Sequence, residues 1–230
     1  MNTMAAATAV PSAWIELPHT RWESLTQEGA RTVRFSKGQT LFSQGEPIQH
    51  VWVIDEGRVR LLLLSAVGHE KHMAIVGTNG MVGECSAFLD GRHSVTAVAS
   101  SDVVARQVEL KQLERCMQRD PQVMRQVLWL ISVKLRILAN QNLLLSQASA
   151  AQRVASHLVQ LAETYGETSG EGLTIRVAFT HQEMANIAGL SRVMTSNVLT
   201  QFHEQGLVQK VGAHCVVLDI VGLRQRSIGL

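Results

Sequence analysis

The chain has 230 residues, 46% of them hydrophobic, and a formal net charge of +2 from 21 basic and 19 acidic side chains. This is enough apolar residue for a buried core, over a length that suits two domains, and too little positive charge to mark a nucleic-acid binder by electrostatics alone. No apolar run approaches the roughly 18 residues of a membrane span, and the start MNTMAAATAVPSAW lacks the positive n-region of a signal peptide. A cytoplasmic protein with no membrane partner is therefore expected. Cys85, Cys116 and Cys215 are widely spaced and odd in number, which encodes neither a disulfide framework nor a CxxC metal site.

Residues 1 to about 30 read as a loose tail and a short amphipathic helix, with Trp14, Ile15, Leu17, Trp22 and Leu25 available for docking. From Val33 to about Gln107 the texture changes to short β-like runs broken by glycine: RTVRF, TLFSQ, HVWVID, RVRLLLL, KHMAIV and SVTAVASSDVVARQV. Short strands at this spacing, with turn residues between them, predict a sandwich or jelly roll, a fold that can hold a small-molecule pocket.

Helical pattern follows. Leu110 to Met117 makes a short helix, and Asp120-Pro121 starts a second with proline at its tolerated first position, running to about Gln147. Along it Met124, Leu128, Ile131, Leu135, Leu138, Asn142 and Leu145 step by four and three without a break. Three heptads with one core asparagine predict a parallel two-stranded pairing, hence a homodimer. Gln147 to Ala151 is small and polar enough for a hinge. A further helix from Gln152 to Tyr165 carries Val154, Ala155, Leu158, Val159, Leu161 and Ala162 on its apolar side, GETSGEG reads as a loop, and LTIRVAF as a strand.

The segment from Thr180 to Gln209 reads as two short helices joined by a tight turn. Thr180 and Glu183 have the capping-box spacing, Met184, Ile187 and Ala188 form one apolar face, and small Ala185 lets a second helix approach. Gly189 supplies the positive-φ residue of a sharp helix exit, and Ser191 caps the next helix. There Met194, Thr195, Val198 and Phe202 turn inward with Leu190, leaving Arg192, Ser196 and Asn197 outward. A hairpin follows, Gln209 to Val211 turning at Gly212-Ala213 into Cys215 to Leu218. Helix, turn, helix and β-wing in this order make a winged helix. Its charge is even: Arg153, Arg176, Arg192, Lys210, Arg224 and Arg226 are matched by Glu163, Glu167, Glu171, Glu183, Glu204 and Asp219.

Jelly roll, long dimer helix, hinge and winged helix together resemble the Crp/Fnr family of bacterial transcription regulators, over nearly the whole chain. The matching segments are KGQTLFSQGEPIQHVWVIDEGRVRLLL, Gly83-Glu84 where the family's phosphate-binding cassette begins, Arg153, and THQEMANIAGLSRVMTSNVL. The resemblance implies an α+β fold with a roll and tail over 1–119, a dimerisation helix and hinge over 120–149, and a winged helix-turn-helix over 150–230. It implies a homodimer that binds a small-molecule effector in the roll, engages double-stranded DNA at a pseudo-palindromic site, and recruits or blocks RNA polymerase.

In cyclic-AMP-binding members Glu84 would hold the ribose and an Arg-Ser pair the cyclic phosphate. Here Ser94 is preceded by His93, with Arg92 one place earlier in a loop one residue shorter, and the adenine-reading positions are Leu138 and Ala139. The effector pocket is thus assigned to Gly83, Glu84, Cys85, Arg92, His93, Ser94 and Leu138, with an effector other than cyclic AMP and a small organic acid or aromatic compound favoured. Iron-sulfur sensing is set aside because no cysteine precedes Cys85. Haem at Cys85 with His72 or His93 nearby, and thiol oxidation at Cys85 or Cys116, stay open as alternatives of the same fold.

The DNA contacts are assigned to Thr180, His181, Ser191, Arg192, Val193, Thr195, Ser196 and Asn197. Arg192 suits guanine O6 and N7, Val193 a thymine methyl and Asn197 an adenine edge, while Thr180 and His181 suit phosphates. The chain is not expected to be an enzyme: a cupin-like enzyme would need more metal ligands than His69-Glu70-Lys71-His72 offers. A sensor of this fold without DNA binding is the remaining alternative.

Overall fold

The computed structural model describes residues 11–17, 22–26, 29–68, 70–170 and 172–227. The expected N-terminal tail, His69 and Glu171 fall outside these. The described chain divides within one long helix into two compact units, one of Trp14–Leu135 and the other of the residues from Arg136 onward with residues 11–13.

The first unit is a β-roll. One sheet has the order β1 (Trp14–Ile15), β6 (Glu70–Val76), β5 (Val59–Leu64), β8 (Thr96–Ala99) and β3 (Thr40–Phe42); the other has β2 (Arg31–Phe35), β9 (Val103–Glu109), β4 (His50–Glu56) and β7 (Met81–Val82). The run SVTAVASSDVVARQV thus divides into two strands in different sheets. The chain turns the corner at Ser100–Asp102, where the Arg58 N–H donates to the Ser101 hydroxyl (3.0 Å) and the Lys37 N–H to Asp102 (2.9 Å). Inward-facing Val51, Val53, Val59, Leu61, Ala97, Ala99, Val103 and Ala105 are buried, which supplies most of the drive for folding.

The N-terminal docking residues do not all lie on a helix. Trp14–Ile15 pairs in parallel with β6, and the short helix α1 (Glu23–Thr26) follows. Trp14, Trp22 and Leu25 are fully buried, and the Trp22 indole donates to the Asn79 carbonyl at 2.9 Å.

Helix α2 (Leu110–Arg119) leads into α3 (Pro121–Gln147). Along α3 Val123, Val127, Leu130, Lys134 and Ile137 are buried at helical spacing. The predicted seam lies elsewhere on the helix: Met124 is 39% exposed, Leu128 55%, Leu135 66% and Leu145 39%. Ile131 and Leu138 are half-buried and Asn142 is exposed. A single protomer therefore leaves an apolar stripe three heptads long in water.

In the second unit α4 (Ala150–Tyr165) begins two residues before the expected start, because Ser149 forms a capping box with Gln152. Only Ala148 and Ser149 separate α3 from α4. The expected GETSGEG loop is instead β10 (Gly166–Ser169), hairpinned to β11 (Gly172–Ile175). The helices α5 (His181–Ala188) and α6 (Arg192–Glu204) are followed by β12 (Val208–Val211), β13 (His214–Val217) and α7 (Ile220–Arg226). The sheet order is β10-β11-β13-β12, with the wing turn at Gly212–Ala213. Among the described residues no helix is long and apolar enough to cross a membrane.

Candidate nucleic-acid interface and roll interior

The start of α5 is set by reciprocal bonds. Thr180 Oγ1 accepts from the Glu183 N–H at 3.1 Å, and Glu183 Oε2 accepts from the Thr180 N–H at 2.8 Å. Gly189 ends the helix at φ +65°, where its lack of a Cβ avoids strain. Ser191 then caps α6 by accepting from the Met194 N–H at 3.1 Å. The two helices are joined at the surface by a 2.8 Å hydrogen bond between His181 Nδ1 and the Ser196 hydroxyl.

On α6 the inward stripe is Thr195, Val198, Leu199 and Phe202, the i, i+3, i+4, i+7 positions of one helical face. Met194, one step off that stripe, is 47% exposed rather than inward. Thr195 is 0% exposed, so it belongs to the packing between helices and not to a DNA contact. Ser191, Arg192, Val193 and Asn197 are exposed, and Val193 is 70% so.

The even charge count resolves once partners are assigned. Arg176 pairs with Glu167 (3.1 Å) and Arg224 with Glu163 (2.8 Å). Arg153 donates to the carbonyls of Leu145 and Ala148, and Arg226 to that of Gly222. Arg192 and Lys210 have no carboxylate partner among the described residues. One sits at the start of α6 and the other on the wing. Burial first, then the charges of Lys210 and Arg192, hold His181 below the ordinary imidazole range, so all three groups share one local field.

Inside the roll, Gly83 adopts φ +98° with its missing Cβ only 3.1 Å from the His50 carbonyl and 3.3 Å from the Trp52 ring. Glu84, next in sequence, is completely buried. Its Oε1 lies 2.5 Å from Lys134 Nζ on α3, and the same ammonium donates to the Met81 carbonyl at 2.9 Å. Burial by itself would lower the Lys134 pKa; the neighbouring Cys85 and Glu84 outweigh it and hold the pKa up. Burial and the Glu84 charge push the Cys85 thiol up to about 12, so it is protonated at neutral pH and the carboxylate is what keeps Lys134 charged.

Phe42, Leu61, Gly83, Cys85, Ser86, His93, Ser94 and Val95 line a cavity whose volume to a water-sized sphere is about 10 Å³, room for about one water. The His93 ring fills much of the space by stacking on Phe42, with centroids 3.8 Å apart and planes 15° from parallel. Trp52 extends the stack at 5.2 Å from Phe42.

The comparisons agree with this architecture. The cyclic nucleotide-binding domain family matches residues 32–120, and the Crp-like helix-turn-helix domain family matches residues 152–226. The CRP-like cAMP-activated global transcriptional regulator of Mycobacterium tuberculosis is 28% identical over 195 residues, 85% of this chain and 87% of that protein. The transcriptional activator protein anr of Pseudomonas aeruginosa is 28% identical over 207 residues, covering 87% and 82% respectively. The chain belongs to the Crp/Fnr family. Two solved structures share the fold of this Crp/Fnr protein. One is a CooA mutant from Carboxydothermus hydrogenoformans (TM-score 0.79, 20% identity, 92% of this chain and 97% of that one), and the other is FixK2 from Bradyrhizobium japonicum (0.76, 22%, 88% and 99%).

Within this Crp/Fnr chain the structure brings Gly83, Cys85, His93 and Ser94 to one cavity and places Glu84 beside it, paired inward. Arg92 does not join them: its side chain is exposed and donates to the Gly45 carbonyl at 2.7 Å. Leu138 lies beyond Leu135 on α3, in the other compact unit, and does not line the cavity. Sequence reasoning missed Lys134, Phe42 and Trp52. Lys134 was legible as a lysine at a buried helical position, since such a charge requires a partner.

The donor set does not fit haem. Cys85 donates toward Glu84 at 3.5 Å, His93 is stacked on Phe42, and the cavity holds about one water rather than a macrocycle. Among the described residues no group of three or more His, Cys, Asp or Glu side chains could hold a metal ion.

Proposed function

We propose that this Crp/Fnr-family transcription regulator acts as a cytoplasmic homodimer on a pseudo-palindromic operator and carries out no enzymatic reaction. The division of labour is a roll over 1–119, a pairing helix and hinge over 120–149, and a reading head over 150–230. The observation that carries the DNA reading is the placement of two cations, Arg192 and Lys210, that among the described residues have no carboxylate partner. Arg192 opens the recognition helix and Lys210 lies on the wing, with the His181–Ser196 pair joining α5 to α6.

Arg192 reads a guanine, Val193 a thymine methyl and Asn197 an adenine edge. Thr180, His181 and Ser191 serve the phosphates, Ser196 is held in place by His181, and Lys210 clamps the backbone beside the wing. The exposed stripe from Met124 to Leu145 supports pairing of α3 with its copy, which sets half-sites about one helical turn apart. RNA polymerase is the partner through which occupancy becomes a change in transcription. Cyclic AMP does not suit the roll: Glu84 is committed to Lys134 and Arg92 is turned to a backbone carbonyl.

Selection of bound sequences from a random double-stranded DNA pool, with and without cell extract, tests the reading. A two-fold-symmetric motif is the expected result. No enrichment in either condition would leave a sensor of this fold that works without DNA. With the motif in hand, Arg192→Ala should relax preference at one base pair per half-site by about 1–3 kcal/mol, whereas Lys210→Ala should weaken all sequences alike and lower the salt slope by about 1.

A further inference from the structure

A buried ion pair is costly to assemble, because both ions leave water, and it persists where geometry and added hydrogen bonds compensate. Glu84 and Lys134 meet that condition. Their side chains are 0% and 6% exposed, Nζ is shared between Oε1 and the Met81 carbonyl, and the Cys85 thiol donates to the same carboxylate oxygen. The pair joins the loop after β7, at the heart of the roll, to the buried face of α3. From Lys134 that helix continues without a break through Gln147, with only Ala148 and Ser149 between it and α4.

Beside the pair the roll is packed with its own side chains. Phe42, His93 and Trp52 form a continuous stack, Ser86 donates its hydroxyl to Ser94 at 2.7 Å, and the cavity lined by Phe42, Cys85 and His93 holds about one water. A lysine of α3 thus places its ammonium in the roll interior, on the Glu84 carboxylate and the Met81 carbonyl.

We infer that the Lys134 ammonium is a built-in effector: paired with Glu84 in a roll closed by Phe42, His93 and Trp52, it holds α3 in the DNA-binding arrangement without any small molecule. This rests on the DNA-binding reading above. Operator occupancy then follows the amount of protein in the cell rather than the concentration of a metabolite.

The test uses the full-length protein unfolded in denaturant, dialysed and refolded so that no small molecule is carried over. Operator affinity should be the same before and after this treatment, and unchanged by cell extract. Lys134→Ala should weaken binding by roughly 5- to 150-fold, the usual range of effector coupling. Propylammonium, which carries the three carbons and the nitrogen removed by that substitution, should restore binding, and propanol should not. Should Lys134→Ala not fold, Lys134→Gln keeps a donor for the Met81 carbonyl without the charge, and the same loss is expected.

The inference is overturned if the refolded protein binds DNA only after extract is added, or if folded, dimeric Lys134→Ala binds as tightly as the unsubstituted chain. If no DNA is bound under any condition, the DNA reading fails and the inference that rests on it fails with it; DNA binding that needs extract overturns the inference alone.

Discussion

Leu135→Glu should convert the proposed dimer to monomers without unfolding the protomer. Leu135 is 66% exposed in the isolated chain, so its substitution disturbs little within the protomer, where surface changes fall within about 0.5 kcal/mol. Fully burying a leucine contributes about 1.5–3 kcal/mol, and two-thirds of that is about 1–2 kcal/mol per side chain. A two-fold interface contains the residue twice, so the loss is about 2–4 kcal/mol, or roughly 30- to 900-fold in the dimer dissociation constant. Two glutamates facing each other across a parallel seam add repulsion in the same direction. Sedimentation velocity over a dilution series measures the constant, and far-UV circular dichroism checks that helix content is retained. An unchanged constant in a folded variant would refute the assignment of the stripe as the dimer contact.

His181 has a pKa held below 6.5 by burial and by Lys210 and Arg192, so it is neutral at neutral pH. A phosphate favours the protonated form, so DNA binding takes up a proton and affinity should rise as pH falls through the imidazole range. His181→Gln should flatten that profile, and a wild-type affinity independent of pH would contradict the phosphate role. Cys85 and Cys215, both pushed up to about 12 by burial, should resist alkylation in the native protein at neutral pH. Rapid labelling of Cys85 in mass spectra would reopen thiol sensing. Thr195→Val removes a fully buried hydroxyl that has no hydrogen-bond partner among the described residues. It should raise stability by about 1 kcal/mol, roughly 2–4 °C in melting temperature, with DNA affinity unchanged; a loss of affinity would return Thr195 to the interface.

Much of the reading head was legible because its signals are local. The Thr180–Glu183 box, the Gly189 exit and the Ser191 cap each act within one turn of helix, so residue type and spacing suffice to place them. The same holds for α3, whose start at Pro121 and end at Gln147 follow from a proline and a loss of periodicity. Errors arose where two faces of one element compete. Thr195 carries a hydrogen-bonding side chain on a recognition helix, but helical phase sends it inward beside Val198 and Phe202. GETS reads as a loop by composition and becomes a strand because LTI can pair with it.

Sequence pattern alone determined the order of roll, helix and winged head, the heptad stripe and the caps, since hydrophobic period and capping chemistry need no distant partner. Tertiary structure alone decided which charges are neutralised. An even count of cations and anions does not reveal that, among the described residues, Arg176 and Arg224 find carboxylates while Arg192 and Lys210 do not. It also decided the fate of the pocket. Glu84 and Lys134 are fifty positions apart, and only folding brings them within 2.5 Å, because a buried carboxylate and a buried ammonium are each tolerated in the interior chiefly through the other.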